Sequence, residues 1–473
     1  MSLAGVASGV PYDLAVIGAG SAGFSAAITA AEQGAHVALI GHGTIGGTCV
    51  NVGCVPSKTM LRAVETLHHA NAAGRFAGIQ AAGHVTDWGA VVAQKDDLVG
   101  GLRQSKYRDL LPAYPSVDYL EGRASFTTHG LQLDGAAMMA DKIIIATGSQ
   151  PNIPALPGLA EVPYLTSASA LEMAQLPRSM LIIGAGYIGC ELAQMLSRAG
   201  VEVTILSRRR LLAEGEPEIS DALRGYLRDE GLGVLDGLDY ESIARTEAGV
   251  ALNVRIGGET HTLCAERLLL STGRRPNTDG LGLDDAGINT VNNGGIAVDG
   301  QMRTSRPGVY AAGDVTGRDQ FVYMAAHGAK IAAQNALNGD SLKYDNNAMP
   351  AVVFTDPQVG TVGLTEAAAR AQGYDVVTSL LPLEYLPRAL AARDTRGLFK
   401  LVAERPSKRL LGAHILAPEG ADSIQTAALA IRQGLTYVEL GEMIFPYLTT
   451  VEGLKLAAQT FEKDIAKLSC CAG

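Results

Sequence analysis

The chain has 473 residues, 47% of them hydrophobic and 18% charged, and this length predicts two to four domains, because single cores stop growing at roughly 250–300 residues. The formal net charge of -10 argues against a nucleic-acid partner, which would require a basic stripe. No uninterrupted apolar run reaches the roughly 18 residues of a membrane span, and the N-terminus lacks the basic region of a signal peptide. We therefore expect a cytoplasmic protein without a membrane segment.

Two segments of the same form each begin a nucleotide-binding unit. DLAVIGAGSAG at 13–23 and SMLIIGAGYIG at 179–189 each combine an apolar run, the pattern G-x-G-x-x-G, a helix-like stretch that ends at Gly34 or Gly200, and a second strand. This order is typical of a βαβ unit. In both copies the glycines permit a tight turn and close approach to a pyrophosphate; they are Gly18, Gly20 and Gly23, and Gly184, Gly186 and Gly189. Two copies predict two dinucleotide sites.

Three further apolar runs follow, two of which end in matching turns. KIIIATGSQP at 142–151 and RLLLSTGRRPN at 267–277 each end in a T-G turn, and GVYAAGD at 308–314 ends in an aspartate. From about residue 350 the pattern changes to short antiparallel strands followed by helices, which favours a separate C-terminal domain. The predicted fold is therefore α/β, with two Rossmann-like dinucleotide-binding domains and a C-terminal α+β domain.

The residue that ends each second strand predicts which dinucleotide each unit binds. A ribose-binding acid usually stands there when the ligand has a free 2'-hydroxyl. The second unit has Ser207 followed by Arg208, Arg209 and Arg210, and because guanidinium groups pair with phosphates, NADPH is favoured over NADH. A solvated basic turn is the alternative. The first unit has Gly41 at this position, so the expected acid is absent.

The six cysteines form two pairs and two single residues. Cys49 and Cys54 lie in GGTCVNVGCVPSK at 46–58, before a helix predicted to start at Pro56 and Ser57, and a helix N-terminus with a nearby lysine stabilises a thiolate. Such a pair is a redox couple or a soft-metal chelate, with a structural disulfide or inert core thiols as alternatives. Cys470 and Cys471 end the chain in LSCCAG. The single residues, Cys190 and Cys264, are predicted to be small apolar side chains in packed elements.

These motifs resemble the redox-active signature of the pyridine nucleotide-disulfide oxidoreductases, and the resemblance extends from Asp13 to Gly473. It implies that the first unit binds FAD, that Cys54 is the thiolate nearest the flavin and that Cys49 is the outer thiol. It further implies that Lys58 lies by the flavin and pairs with Glu191, although an ordinary ion pair is the alternative. Asp314 is implied to hydrogen-bond the ribityl chain. The other cofactor contacts expected in these motifs are Gly47, Thr48, Thr147, Gly148 and Gly273.

The same resemblance implies a domain order and a homodimer. The FAD domain is expected at 1–158 and 280–347, the NADPH domain at 159–279, and a dimerisation domain with the Cys-Cys tail at 348–473. In this family the partner's C-terminal domain completes each active site. Cys49 and Cys54 of one subunit are therefore expected to face Tyr447, Cys470 and Cys471 of the other.

Two features that differ from the disulfide-reductase pattern indicate the reaction: Tyr447, and the C-terminal pair Cys470 and Cys471. In FPYLTTVEGLK, Glu452 is kept but Tyr447 occupies the position of the acid-base histidine, and a phenol with a pKa near 10 is a poor proton shuttle. Tyr447, together with Tyr107 in QSKYRDL, resembles the mercury-reducing members of the family. Thiolate sulfur is the preferred ligand of a soft ion, so Cys49, Cys54, Cys470 and Cys471 are the expected ligands of Hg(II) as substrate.

Two alternatives remain open at this point. One is a reductase of the same fold that acts on a low-molecular-weight disulfide. The other is a flavoprotein that sequesters a thiophilic metal without turnover. The tail pair itself has the alternative of a reactive but idle terminus.

Overall fold

The computed structural model describes residues 11–465, which form two compact units. The first unit comprises Met1–Thr59, Ala90–Asn152 and Gly273–Asp345, and the second comprises Met60–Gly89, Ile153–Thr272 and Asn346–Gly473, in each case as far as the described range extends. Cys470 and Cys471 lie outside the described residues. In the range 11–465 no helix combines the length and the hydropathy that crossing a bilayer requires.

The helices and strands follow one another in four groups along the chain. The first group is β1 (Tyr12–Ile17), α1 (Ser21–Ala31), β2 (Val37–Gly41), α2 (Gly47–Val52), α3 (Cys54–Asn71), α4 (Trp88–Arg103), β3 (Val117–Glu121), β4 (Ala124–Thr127), β5 (Gly130–Leu133), β6 (Ala136–Ala137), β7 (Ala140–Ile145) and β8 (Ser149–Pro151). The second is α5 (Ser167–Ala170), β9 (Ser179–Ile183), α6 (Tyr187–Arg198), β10 (Glu202–Ser207), α7 (Pro217–Asp229), β11 (Gly233–Asp236), β12 (Asp239–Thr246), β13 (Gly249–Ile256), β14 (Glu259–Ala265) and β15 (Arg267–Leu270). The third is β16 (Arg274–Pro276), β17 (Val309–Ala311) and α8 (Val322–Asn338). The fourth is β18 (Ala351–Val353), β19 (Gln358–Gly363), α9 (Glu366–Ala371), β20 (Val376–Pro382), α10 (Pro387–Ala392), β21 (Leu398–Glu404), β22 (Leu410–Ala417), α11 (Gly420–Arg432), α12 (Tyr437–Glu442) and α13 (Glu452–Gln459).

The first unit is built on a five-stranded parallel sheet in the order β17-β7-β1-β2-β3. Alternate residues of β1 enter two different cores: Leu14 and Val16 pack with α1 and α8 on one face, and Ala15 and Ile17 pack on the other. Burial on both faces explains why the strand is apolar from Leu14 to Ile17 without interruption. The carboxyl ends of β1 and β2 therefore meet at one edge of the sheet, beside the start of α1.

The second unit contains the other nucleotide-binding sheet and the C-terminal sheet. The former is parallel, in the order β11-β10-β9-β15. The latter is antiparallel, in the order β18-β19-β22-β21-β20, and α11 and α13 pack against it around Phe399. The change from parallel to antiparallel strands near residue 350 was predicted from the sequence pattern and is confirmed.

A buried ion cluster joins α7, α9 and β21 within the second unit. The Lys400 ammonium lies 2.9 Å from Glu216, 2.8 Å from Glu218 and 3.1 Å from Glu366, and the side chains of Lys400 and Glu216 are 3% and 2% exposed. Burial lowers the pKa of Lys400, but the hydrogen bonds that its ammonium donates to the three carboxylates outweigh this effect and raise the pKa above its ordinary value. Removal of this cation would leave the buried Glu216 and its neighbour Glu218 without the ammonium, whereas Glu366 would keep its ion pair with Arg370.

We expect Lys400→Met to lower the free energy of unfolding by about 3–5 kcal/mol, because breaking a buried ion pair leaves an uncompensated charge. Thermal and denaturant unfolding of the purified protein measure this. Lys408→Met is the matched control, since the ammonium of Lys408 contacts Glu462 on the surface, where both side chains are about half exposed. Equal stability of the two variants would contradict an energetic role for the cluster.

Candidate active site

The turn between β1 and α1 is shaped to receive a diphosphate. Gly18 has φ +119°, and a Cβ there would lie 2.3 Å from the carbonyl oxygen of Ala146, while a Cβ at Gly23 would lie 1.7 Å from the oxygen of Gly18. Gly20 is the N-cap of the 11-residue helix α1 and, as a glycine, has no side chain that could accept a hydrogen bond from the first amides of the helix. Gly47 approaches so closely that its Cβ would lie 2.7 Å from the Cα of Gly20. The backbone amides at the start of α1 therefore fit the phosphates of a dinucleotide.

The turn between β9 and α6 repeats this geometry in the second unit. Gly184 has φ +109°, and a Cβ there would lie 2.4 Å from the oxygen of Ser271; a Cβ at Gly189 would lie 2.1 Å from the oxygen of Gly184. Gly186 caps α6, again with no side-chain hydrogen bond at the cap, and a Cβ there would meet open space. The two halves thus present the same type of phosphate-binding turn.

The three arginines after β10 have different surroundings. The guanidinium carbon of Arg208 lies 5.4 Å from the ring centre of Tyr240. Arg209 forms an exposed 2.7 Å ion pair with Glu214, whereas Arg210 donates to the carbonyl oxygens of Ala213 and Gly215. Arg210 therefore fixes the loop, and the other two guanidinium groups lie at the end of the strand where a nucleotide ribose is recognised.

The two cysteines lie on consecutive helices that Gly53 separates. Cys49 is in α2, and Cys54 is the first residue of α3, so the predicted helix start at Pro56 and Ser57 was wrong by about one half-turn. Both residues are half-buried. A hydrogen bond to Cys54, burial and the charge of Cys54 raise the pKa of the Cys49 thiol, and Lys58 opposes the shift. We therefore expect Cys54 to carry the thiolate charge of the pair, because a helix N-terminus stabilises a thiolate.

Tyr107 lies on the same side of the first unit as the two thiols. Its ring packs edge-on against Phe24 at 4.9 Å, and its hydroxyl is 3.5 Å from that of Ser21. Burial raises the pKa of Tyr107, and so do the charges of Cys49 and Cys54. The residue lies in a π-helical segment, Gln104–Arg108, and segments of this kind are frequent at functional sites. The structure therefore brings the phenol together with the dithiol.

Asn51 lies between the two cysteines and stabilises residues 46–54, the dithiol loop, which comprises α2 and the first residue of α3. The sequence did not predict these contacts. Its side-chain amide donates to the carbonyl oxygens of Ile45 at 2.9 Å and Gly47 at 2.8 Å. Its own oxygen accepts a 2.5 Å hydrogen bond from Arg103 Nε at the end of α4. Arg103 is thus a positioning residue that connects the segment bearing Tyr107 to the loop bearing Cys49.

We expect Arg103→Met to make Cys49 react several-fold faster with iodoacetamide at fixed pH. A charge-assisted hydrogen bond of about 1.5–3 kcal/mol would be lost, the loop would loosen, and the pKa of Cys49 would fall toward its ordinary value. Mass spectrometry of the alkylated peptide measures the rate, with Lys106→Met, an exposed neighbour in the π-helical segment, as control. Unchanged alkylation would mean that Arg103 does not position the loop.

A second arginine, also not anticipated, lies beside the dithiol. Arg274 donates to the hydroxyl of Ser149 at 2.8 Å and to that of Thr48 at 3.4 Å, and the hydroxyl of Ser149 donates to Asp314 at 2.6 Å. Burial lowers the pKa of Arg274, while Asp314 and Cys54 raise it. This guanidinium therefore supplies positive charge near the Cys54 sulfur. Its position directly after the second T-G turn is the sequence feature that could have identified Arg274 as a site residue.

The segments that contain the two T-G turns are hydrogen-bonded to each other. Thr147 Oγ1 donates to the oxygen of Asn277 at 2.7 Å, and Asn277 Nδ2 donates back to the oxygen of Thr147 at 2.9 Å. Gly148 and Gly273 take positive φ values of 72° and 95°, and a Cβ at either would meet open space. These turns border the carboxyl end of the first sheet, as a cofactor-contacting segment should.

Tyr447 and Glu452 lie in the second unit, at the entrance to α13. Tyr447 is 55% exposed, whereas Glu452 is 5% exposed, and its Oε2 has no hydrogen-bond partner among the described residues. Burial raises the pKa of Glu452, and the backbone of Leu448 and the charge of Lys455 oppose the shift. Ile444, three residues before Tyr447, is 97% exposed, and the neighbouring Met443 and Leu448 are also exposed apolar side chains.

The remaining predicted residues have mixed outcomes. Cys190 is fully buried, as predicted, and burial raises its pKa to about 12. Cys264 is exposed, so the prediction that it is a packed apolar side chain was wrong. Glu191 is buried in α6 and accepts a hydrogen bond from the amide of Phe354. Lys58 and Glu191 lie in different units, and their ion pair stays a prediction.

Two phosphate-binding turns on parallel sheets, together with a dithiol at a helix N-terminus, define a dinucleotide-dependent oxidoreductase with a thiol redox centre. Residues 12–333 match the family model described as pyridine nucleotide-disulphide oxidoreductase, and residues 349–458 match the dimerisation domain of the same family. The chain belongs to this family and is an enzyme that uses FAD and a pyridine nucleotide. The dimerisation domain indicates a homodimer.

Individual relatives agree with this assignment over nearly the whole chain. The chain is 46% identical to the mercuric reductase of Streptomyces lividans over 98% of both chains. It is 45% identical to that of Lysinibacillus sphaericus over 98% of this chain and 85% of the relative. Among solved structures, the Cu(II) complex of the HOCl-induced flavoprotein disulfide reductase RclA from Escherichia coli is 30% identical, with a TM-score of 0.84 over 96% of this chain and all of that one.

Proposed function

We propose that this enzyme reduces thiol-bound Hg(II) to elemental mercury, with NADPH as the electron donor. The observation that carries the proposal is the half-buried pair Cys49 and Cys54, joined by a sulfur-sulfur hydrogen bond, in a chain that has Tyr447 where a disulfide reductase needs an acid-base group. Relatives named mercuric reductase, at 44–46% identity, support the same reading.

The dithiol suits a soft cation better than it suits exchange with an organic disulfide. Hg(II) prefers thiolate sulfur, and its capture displaces the proton that Cys49 holds, as metal binding to thiols generally does. The overall reaction converts a mercury dithiolate, NADPH and one proton into elemental mercury, NADP+ and two thiols, so that two electrons pass to the metal. No proton has to be delivered to a departing disulfide sulfur, which explains how the site can work without a histidine.

The residues of the first unit have separable roles in this scheme. The N-terminus of α3 and the guanidinium of Arg274 stabilise negative charge on Cys54. Tyr107 places a neutral phenol next to both sulfurs, and Asn51 holds the loop. Bound FAD would supply this site with two-electron transfer from reduced nicotinamide. Asp314, Ser149 and Thr48 are the side chains that would hold it near Cys54.

The second unit supplies the preference for NADPH. We expect Arg208→Ala to weaken NADPH binding about tenfold or more, because a charge-assisted hydrogen bond to the 2'-phosphate contributes about 1.5–3 kcal/mol. NADH lacks that phosphate and should be affected little. Steady-state KM values for the two nucleotides measure the difference, and Arg210→Ala, in the loop-fixing position, controls for local unfolding. Equal losses for both nucleotides in Arg208→Ala would remove the phosphate contact from the scheme.

A homodimer with shared active sites completes the proposal. Tyr447 is exposed on a segment with other exposed apolar side chains, as expected if the partner subunit covers it. Cys470 and Cys471 would then pass the metal ion to Cys49 and Cys54 by ligand exchange, and a tethered pair presents a high effective concentration for this transfer. Replacement of both tail cysteines should slow reduction most when mercury arrives on bulky thiols.

The decisive assay is NADPH oxidation by Hg(II) in excess thiol, run beside glutathione disulfide and lipoamide. We expect turnover with mercury, release of volatile mercury, and negligible turnover with the two disulfides. Turnover with a disulfide alone would favour a disulfide reductase of this fold. Tight mercury binding without NADPH oxidation would favour a sequestering flavoprotein.

A further inference from the structure

The end of β2 in the first unit departs from the usual dinucleotide fold. The residue there is Gly41, and it carries no acidic group with which to bind a ribose hydroxyl. A Cβ at this position would lie 2.4 Å from the hydroxyl oxygen of Tyr119 and less than 3 Å from two of its ring carbons. The space in which an acidic side chain would begin is therefore filled by a phenol from the adjacent strand.

Tyr119 and Glu121 present polar groups on the same face as the missing acid. In the parallel register of β2 and β3, Leu39 lies beside Tyr119 and Gly41 beside Glu121. Residues two apart in a strand point to the same face, and so do register neighbours on adjacent strands. That face is the one covered by α1, since Leu39 and Tyr119 pack in the same core as this helix. The Glu121 carboxylate thus projects beside position 41, at the last residue of β3.

We propose that Tyr119 and Glu121 together bind the hydroxyl groups of the adenosine ribose of FAD, in place of the acid that other dinucleotide folds carry at the end of their second strand. The proposal rests on FAD binding by this family and is independent of mercury reduction.

The local charges are consistent with these roles. Burial raises the pKa of Tyr119, and Glu121 raises it further against the effect of Arg108. The phenol therefore stays protonated at neutral pH and can donate to, or accept from, a ribose hydroxyl. Glu121 is exposed and supplies the anionic acceptor that Gly41 lacks. Glu121 at the end of β3 thereby replaces the acid that is missing at the end of β2.

The test is the affinity of the apoprotein for FAD, measured by quenching of flavin fluorescence, with no mercury present. Tyr119→Phe and Glu121→Gln should each weaken FAD binding about tenfold, the size of one lost hydrogen bond. The controls, Tyr114→Phe and Glu32→Gln, change an exposed tyrosine-glutamate contact elsewhere in the first unit and should bind FAD like the parent protein.

An FAD analogue without the adenosine 2'-hydroxyl shows whether the lost contact is to the ribose. The parent protein should bind this analogue about tenfold more weakly than FAD, whereas the Tyr119→Phe/Glu121→Gln variant should bind both alike, as a double-mutant cycle requires. Equal binding of FAD and the analogue by the parent protein would overturn the proposal, whether or not the variants fold. So would a parallel loss for both ligands in the variants. Neither result would change the interpretation of the mercury assay, which tests the proposed function separately.

Discussion

Cys54→Ala should reduce mercury-dependent NADPH oxidation by more than about 100-fold, since changes to mere supporting residues of a metal site already cost 10–100-fold. The structure gives the reason: Cys54 begins α3, lies near the charge of Arg274, and accepts the hydrogen bond that keeps the proton on Cys49. The long-wavelength absorption that a thiolate beside a flavin produces should disappear with the sulfur. Stopped-flow and steady-state absorbance on the flavin-loaded protein measure both.

Cys264→Ala is the matched control for this experiment, because Cys264 is an exposed thiol on β14, outside the unit that contains the dithiol. It should keep full activity, full flavin content and the long-wavelength band. If the Cys54 variant retained normal mercury reduction with its flavin in place, the assignment of the dithiol as the reducing site would be lost. Loss of flavin in the Cys54 variant alone would instead indicate a structural role for the sulfur.

Much of the architecture could be predicted because local rules and tertiary packing agree. From Leu14 to Ile17 the strand β1 is an unbroken apolar run, and this run is buried on both faces. The expected glycines, Gly34 and Gly200, follow the ends of α1 and α6 with φ values of 86° and 102°. In both cases a single local requirement, burial or positive φ, restricts the residue type strongly.

Two predictions were wrong because the sequence feature on which each depended is compatible with two structures. Pro56 suggested a helix start, yet α3 begins at Cys54, because proline tolerates any position in the first turn. Cys264 was expected in a core, but its neighbours Leu263 and Ala265 are the less exposed residues of β14, and Cys264 faces outward. Strict alternation along an antiparallel strand could have corrected this second prediction.

The supporting residues of the site could not be predicted, because their contacts join distant parts of the chain. Arg103 reaches Asn51 across 52 positions, and Arg274 reaches Thr48 across 226. Neither hydrophobic periodicity nor motif spacing predicts contacts between residues so far apart in the sequence. Gly41 is instructive in another way: the sequence indicates that an acid is missing, but only the packing identifies Tyr119 as the residue that fills its place.

Cys49→Ala should also reduce mercury turnover by more than about 100-fold, but its absorption spectrum should differ from that of Cys54→Ala. Cys54 keeps its place, so the long-wavelength band should persist at high pH. The variant removes the thiol that donates to Cys54, so the thiolate loses a hydrogen bond of about 1.5–3 kcal/mol. Because each pH unit corresponds to about 1.4 kcal/mol, the absorbance midpoint should move upward by about one to two pH units.

The direction of this movement separates the hydrogen bond from a general effect of the substitution. Loss of a donor to an anion favours the protonated thiol, so the band must appear at higher pH than in the parent protein. A midpoint displaced to lower pH would mean that Cys49 itself carries the thiolate and Cys54 the proton. A pH titration of the band in the Cys264→Ala control should match the parent protein, which assigns any displacement to the sulfur at position 49.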